Sequence, residues 1–334
     1  MKESADVLVL GLGPAGASAA AEAARRGAKV IALDRKQQAG VPVQCAELLP
    51  GLLDVDAAAV RQRIGAMHTF VEDDAPDLKA DFPGRMLDRA AFDASLVRQA
   101  LEAGADCRLG VSFRRIPDIR AKVIIGADGP RSVAGRAIGR ANTELVETRQ
   151  ITVPLLEAHA ATDIFLSAGI PGGYGWLFPK GDVANLGVGV VPEEKWQLKA
   201  ILERLHGRGC REGRLGKEIL ATTGGAIPVG GMLDPAGFID ETLVLLAGDA
   251  AGLANPVTGA GIAAAVHSGR MAGEAALHFL SGNADAGEGY RAELEDLLQA
   301  SLERALKRRR ELLAAKPEKA ALRRGWIAYE EYWR

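Results

Sequence analysis

Three glycines and a set of well-spaced carboxylates carry the first chemical signal. The run Asp6-Val7-Leu8-Val9-Leu10-Gly11-Leu12-Gly13-Pro14-Ala15-Gly16 sets a short apolar stretch against glycines in G-x-G-x-x-G spacing, and alanine-rich sequence continues to Arg26. Each glycine does something different. Gly11 turns the chain sharply, Gly13 lets backbone approach a pyrophosphate, and Gly16 seats the helix close on the strand. The first helical turn then offers unpaired N–H groups and the positive end of its dipole to that pyrophosphate. Asp34 closes the next apolar run, Lys29 to Leu33. A carboxylate about 20 residues beyond such glycines suits a ribose hydroxyl pair. Together these residues predict a dinucleotide site.

Two further apolar runs end in the same way. Ile124-Ile125-Gly126-Ala127-Asp128-Gly129 is one; Leu243 to Leu246 followed by Ala247-Gly248-Asp249 is the other, leading to Asn255-Pro256-Val257-Thr258-Gly259-Ala260-Gly261-Ile262. Ligands of open α/β sheets sit beyond the carboxyl ends of the strands, so three such tips point to one elongated ligand. Asp249 is placed to bind a polyol or ribityl hydroxyl. A helix starting at Thr258 would aim N–H donors at the carbonyl edge of a flavin.

These groups need a scaffold, and the chain supplies the pattern for one. Strand–helix alternation at both ends, with antiparallel-type strands over 145–191, predicts an α/β protein: a Rossmann-like FAD-binding domain interrupted by a second domain. The expected division is 1–66, 85–140 and 236–282 for the nucleotide-binding domain, 67–84 and 141–235 for a substrate domain, and 283–334 for a C-terminal helical segment. Residues 35–50 read as loop, and 66–87 as a hairpin. Asp88 reads as the N-cap of a helix through Ala103 that ends at Gly104. Leu297, Leu298, Leu302 and Leu306 are expected on one side of a C-terminal helix.

Composition narrows the class. A chain of 334 residues can bury a sizeable core. A formal charge of −2 gives no reason to expect nucleic acid as a partner. The 3 cysteines, Cys45, Cys107 and Cys210, are widely spaced, which fits a reducing, cytoplasmic setting better than a disulfide framework. Lys2 followed by apolar sequence resembles the start of a signal peptide, but the glycine fingerprint accounts for that apolarity. The 5 histidines show no metal-ligand spacing, so no metal is expected.

Gly11–Gly16, Ala127-Asp128-Gly129 and Gly248-Asp249 together resemble the three signatures of flavoproteins with the p-hydroxybenzoate hydroxylase fold. Within that superfamily the chain resembles the geranylgeranyl reductase-like flavoproteins. The likeness rests on Gln44-Cys45-Ala46-Glu47, Asp88-Arg89-Ala90-Ala91-Phe92-Asp93, Pro171-Gly172-Gly173-Tyr174-Gly175-Trp176-Leu177-Phe178-Pro179-Lys180-Gly181, and the Asn255–Ile262 run. It implies FAD as cofactor, held by Gly11, Gly13, Pro14, Ala15, Gly16, Asp34, Arg35, Cys45, Ala46, Arg89, Val111, Asp128, Asp249, Pro256, Gly259, Gly261 and Ile262. The family commonly carries glycine where this chain has Ala46, and the chain is shorter than the typical isoprenoid reductase.

The activity this implies is reduction of a carbon–carbon double bond in a prenyl lipid or related hydrophobic substrate. NAD(P)H or ferredoxin is the expected electron donor. An aromatic hydroxylase and a non-catalytic FAD-binding electron carrier are the alternatives. Tyr174, Trp176 and Phe178, at period two, share one face of a strand. They form either a substrate wall or ordinary core. Cys45 is either a proton donor to an alkene or a small packing residue. Arg89 either pairs with the FAD pyrophosphate or stands exposed in a first helical turn. Lys307-Arg308-Arg309-Arg310 and the terminal aromatics from Trp326 to Trp333 form either a peripheral surface for acidic lipid heads or a solvated helix face.

Overall fold

The computed structural model describes residues 3–51, 53–314 and 318–334. Lys2 and residues 315–317 of the expected C-terminal helical segment lie outside them. In chain order, β1 (Val7–Leu10) leads to α1 (Pro14–Arg25), β2 (Val30–Asp34), β3 (Leu48–Pro50), β4 (Val60–Val71) and β5 (Asp77–Leu87). There follow α2 (Arg89–Glu102), β6 (Asp106–Leu109), β7 (Val123–Gly126), α3 (Val133–Ala137), β8 (Leu145–Pro154), β9 (Ala161–Leu166), β10 (Gly175–Lys180) and β11 (Val183–Val190). The rest comprises α4 (Leu198–Arg211), β12 (Ala221–Pro228), β13 (Ala236–Ile239), β14 (Thr242–Leu246), α5 (Ile262–Leu280), α6 (Ala286–Leu294), α7 (Ala300–Ala314), α8 (Lys319–Arg324) and α9 (Glu330–Trp333).

The first sheet has the order β13-β14-β7-β1-β2-β6 and is parallel apart from edge strand β13. Every residue of β1 and β7 is buried, as expected for strands covered on both faces. Helix α1 can lie close because Gly16 has no side chain: a methyl there would stand 1.8 Å from the Gly11 carbonyl oxygen. Helix α5 then packs on α1 through small residues. A methyl at Gly269 would meet the Ala15 carbonyl oxygen at 2.1 Å, and one at Gly273 the Ala19 carbonyl oxygen at 2.7 Å. Ascending numbers on one helix meet ascending numbers on the other, so the two run parallel. Their N-termini therefore point to the same end of the sheet, with the start of α5 projecting about 10 Å beyond that of α1.

The second sheet has the order β12-β8-β11-β10-β9-β4-β5-β3 and is antiparallel apart from the β4–β9 pair. Its residues alternate between faces. Leu177, Leu186 and Val188 pack with Ile201 and Leu202 of α4, whereas Trp176 and Phe178 join a cluster on the other face with Met67, Phe82 and Ile164. The terminal helices close that cluster with Leu322 and Trp326. Their clasp is ionic: Lys319 and Arg323 reach Asp74, and Arg323 and the Tyr329 hydroxyl reach Asp77 of the β4–β5 hairpin.

Four expectations change. The expected boundaries at 66/67 and 84/85 fall inside β4 and β5, which pair from Val60 with Leu87 to Thr69 with Asp77, with register shifts between Val60 and Gln62 and between Ile64 and Ala66. Residues 48–50 form β3 beside β5 rather than loop, because Leu48 pairs with Met86 in that same ladder. Helix α5 begins at Ile262, not Thr258. The Asn255 carboxamide accepts from the N–H groups of Val257 and Thr258, and Gly259 takes φ +69°, which together make a turn. Finally, a π-helical turn at Glu295–Gln299 rotates the leucine stripe, leaving Leu297 52 % exposed while Leu302 is buried.

The seating of α1 gives a direct test. Gly16→Ala is expected to lower the thermal unfolding midpoint, because the methyl must displace backbone. Gly289→Ala on the exposed face of α6, where nothing stands within 4 Å, is expected to raise it by about 1–3 °C. Circular dichroism melts of the two variants check both signs.

Candidate active site

The three strand tips converge. The Gly11 α-carbon lies against β7, so that a methyl there would stand 2.3 Å from the Ala127 carbonyl oxygen, and Gly248 faces Ala15 in the same way at 3.1 Å. Between these tips and the inner face of the second sheet lies a cavity of about 340 Å³. Gly13, Pro14 and Ala15 enter it from the start of α1, and Pro256 to Ile262 from the approach to α5. Neither helix carries a side-chain cap at its N-terminus, so both turn free N–H donors toward this end of the sheet.

The carboxylates fare differently from one another. Asp34 accepts from the Leu12 N–H at 2.7 Å and the Lys36 N–H at 2.8 Å, fixing the tip of β2 to the glycine turn. Val111 joins that tip through its N–H to the Asp34 carbonyl at 2.8 Å. Asp128 does not face the cavity. Its carboxylate accepts from the Ser132 hydroxyl at 2.5 Å and the Val133 N–H at 2.6 Å, anchoring the start of α3, and its neighbours Ala127 and Gly129 line the cavity instead. Asp249 does line it, beside Gly261, and no donor among the described residues reaches its carboxylate. Burial pushes the Asp249 carboxyl up to about 6, against a smaller opposing pull from Arg89.

Cys45, Ala46 and Glu47 form a turn along the cavity wall. Glu47 is buried and holds φ +69°, a conformation a non-glycine side chain adopts only under constraint. The constraint is visible: its carboxylate accepts from the Lys180 ammonium at 2.6 Å, the Asn185 carboxamide at 2.9 Å and the Arg89 N–H at 3.1 Å. The Cys45 sulfur in turn accepts from the Glu47 N–H at 3.2 Å. Arg89 is no exposed first-turn residue. Its guanidinium lines the cavity in a two-armed pair with Asp93, at 2.9 and 3.0 Å, and lies close enough to Cys45 to feel its charge.

Tyr174, Trp176 and Phe178 stand where the cavity meets the core. All three line the cavity, while Trp176 and Phe178 are also core, 5 % and 4 % exposed. The Trp176 indole donates to Gln150 at 2.9 Å, and Gly187 opposite leaves room for its ring. The Tyr174 hydroxyl donates to the Thr258 carbonyl at 2.6 Å, tying the aromatic wall to the turn before α5.

Of the expected contacts, Gly13, Pro14, Ala15, Cys45, Ala46, Arg89, Asp249, Pro256, Gly259, Gly261 and Ile262 meet around this cavity. Gly11, Gly16, Asp34, Arg35, Val111 and Asp128 stand outside its lining; Arg35 is exposed beside Asp34. Sequence reasoning missed Glu47, Gln150, the β12 segment Thr223–Ile227, and the C-terminal residues Arg309 and Trp326, all of which line the cavity. The left-handed Glu47 has no sequence signature. The expectation of a solvated basic face over 307–310 fails at Arg308 and Arg309, which are buried where α7 packs under the tail. Of the tail's aromatics, Trp326 and Tyr332 are buried, whereas Trp333 is exposed. Folding also gathers His68, His159 and Asp163, whose ligand atoms lie within 4.8 Å of one another although their spacing gave no such sign. That group sits outside the cavity lining, and Arg214 pairs with the free Asp163 oxygen at 2.5 Å. No helix among the described residues is long and apolar enough to cross a membrane.

Comparison with known proteins agrees with this geometry. Residues 145–227 match the family model described as the geranylgeranyl reductase catalytic domain. Digeranylgeranylglycerophospholipid reductase 2 of Methanosphaera stadtmanae is 34 % identical, over 80 % of this chain and 76 % of its own length. The digeranylgeranylglycerophospholipid reductase of Methanocella arvoryzae is 32 % identical, over 92 % and 87 %. Among solved structures, a geranylgeranyl bacteriochlorophyll reductase-like protein of Thermoplasma acidophilum superposes with a TM-score of 0.84, covering 98 % of this chain and 92 % of that one at 24 % identity. The two-sheet fold, the three converging tips and these relatives place the chain in the geranylgeranyl reductase family of FAD-dependent oxidoreductases.

Proposed function

We propose that this protein reduces carbon–carbon double bonds in the prenyl chains of an isoprenoid lipid, the substrate type named for its digeranylgeranylglycerophospholipid reductase relatives. One observation carries the reading: a cavity walled by Tyr174, Trp176 and Phe178 on one side meets the Cys45 turn and two uncapped helix N-termini on the other.

The residues fit FAD. The position a Gly13 side chain would occupy is open, with nothing within 4 Å, although Gly11 and Gly16 on either side are closed by backbone. That leaves a cradle beside the α1 N–H groups for a pyrophosphate. Asp34 is placed for the adenosine ribose, and the unpartnered Asp249 carboxylate for ribityl or pyrophosphate-side hydroxyls. The α5 N-terminus would face the carbonyl edge of the ring. Bound and reduced, FAD supplies the hydride for alkene reduction. An external donor, NAD(P)H or ferredoxin, supplies the electrons.

The chain's own contribution is binding and a proton. The aromatic wall holds an apolar chain against the inner face of the second sheet. The Cys45 thiol donates the proton that completes saturation, and the adjacent Arg89 guanidinium stabilises the thiolate left behind. Glu47, held in its left-handed conformation by Lys180 and Asn185, keeps the thiol aimed into the cavity.

Three outcomes are expected. Purified protein carries flavin that reductant bleaches, and anaerobic addition of a prenyl lipid restores the colour; no reoxidation by any alkene would overturn the reading. Cys45→Ala retains its flavin but reoxidises about 100-fold more slowly. Asp249→Asn separates by pH. The raised folded-state pKa means that ionising Asp249 costs the cofactor-free protein stability as pH rises from about 4 to 6. Cofactor-free Asp249→Asn should therefore match wild type near pH 4 and exceed it by up to about 3 kcal/mol at pH 7, while binding FAD more weakly. Denaturant titrations at the two pH values and flavin retention on a desalting column read the two effects.

A further inference from the structure

Two neighbouring arginines on α7 are buried to the same extent, each 7 % exposed, and are treated in opposite ways. Arg308 is fully engaged: it donates to the carbonyls of Tyr332 at 3.1 Å and Glu331 at 2.7 Å, and pairs with Glu311 at 2.8 Å. Arg309 points the other way and lines the cavity. It donates from one terminal nitrogen to the Gly172 carbonyl at 2.8 Å, and its buried Nε–H has no acceptor among the described residues. The carboxylate whose charge it feels, Glu144, also faces Arg310 at 3.9 Å. Burial outweighs the opposing pull of Glu144 and holds its pKa below the usual arginine value. Two other charged groups of the cavity wall differ, since Glu47 has Lys180 and Arg89 has Asp93; Asp249, which also lacks a partner among the described residues, is the acidic one.

A buried guanidinium with an idle donor is costly unless something else completes it. We propose that Arg309 binds the anionic headgroup of an amphiphilic prenyl substrate, a phosphate ester whose oxygens match the planar guanidinium fork. The placement gives the ligand a direction. Arg309 is held by Gly172 on the approach to β10, whereas the apolar wall residues Ile164, Met67 and Phe82 lie on β9, β4 and β5, successively further across the sheet. Three inter-strand steps separate β10 from β5, about 14 Å. The headgroup thus sits at the α7 side and the prenyl chain runs past Trp176 toward Phe82. The inference rests on the prenyl-reductase reading, whose named relatives act on a phospholipid, and adds the residue that recognises the phosphate and the direction in which the chain lies.

The test measures binding without turnover. Flavin-loaded wild type, Arg309→Met and Arg309→Lys are titrated with geranylgeranyl phosphate and with geranylgeraniol, following quenching of tryptophan fluorescence. Arg309→Met is expected to weaken the phosphate about tenfold or more and to change the alcohol less than about twofold. Arg309→Lys, which keeps the charge and loses the fork, should fall between and decides the matter if the methionine variant does not fold. Equal losses for both ligands, or none, would overturn the proposal and leave Arg309 a packing residue. Millimolar inorganic phosphate is the third arm. If it protects wild type from quenching by either ligand alike, the site takes free phosphate and the headgroup assignment fails. Phosphate-selective binding through Arg309 in a protein that no prenyl lipid reoxidises would sink the reductase reading while leaving the anion site standing.

Discussion

The close parallel packing of α1 and α5 is the constraint on which the rest of the site depends. Glycine at 269 and 273 lets α5 press onto the backbone of α1 at Ala15 and Ala19, at separations no larger residue allows. Gly16 lets α1 press in turn onto the strand tip at Gly11. Two helix N-termini thereby open on the same side of one sheet, staggered along a common direction. An elongated anionic nucleotide needs that arrangement: donors near its phosphates, and a second set further along near its ring. Widening either contact by a methyl group would move one set of donors away from the other.

The Cys45 end of the cavity is built by a different device. The Cys45–Glu47 turn takes a backbone conformation that costs energy by itself, and Glu47 holds it through a carboxylate shared among Lys180, Asn185 and the Arg89 N–H. Two of those donors come from strands of the second sheet, and the third begins α2. The thiol is therefore positioned only when both sheets are assembled. Arg89 is locked by Asp93 from one side and presents its charge to the thiol and to Asp249 from the other. One cation thus serves two groups with separate roles.

The C-terminal segment lines the cavity on one side. Trp326 fills the gap beside Tyr174, with ring centres 4.8 Å apart, and α7 brings in Arg309. Salt bridges from α8 to the β4–β5 hairpin hold the segment in place. These exposed pairs are individually weak, so the burial of Leu322, Trp326 and Tyr332 carries most of the attachment.

The first sheet was legible along the chain before any fold was known. The glycine spacing at 11, 13 and 16, the strand endings at Asp34 and Asp249, and the period-two aromatics are local patterns, and each states its geometry within a few residues. The cap at Asp88 was equally plain, its carboxylate accepting from the Ala91 N–H at 3.0 Å. What depends on contacts between distant segments emerged only on folding. Asp128 resembles Asp249 in sequence, yet one caps a helix and the other faces the cavity, because Ser132 and Val133 lie within reach of the first alone. Glu47 takes its role from Lys180 and Asn185, 133 and 138 positions away. Arg308 and Arg309 are adjacent and chemically identical; about 100° of helical rotation between them directs one to the terminal carbonyls and the other to the cavity.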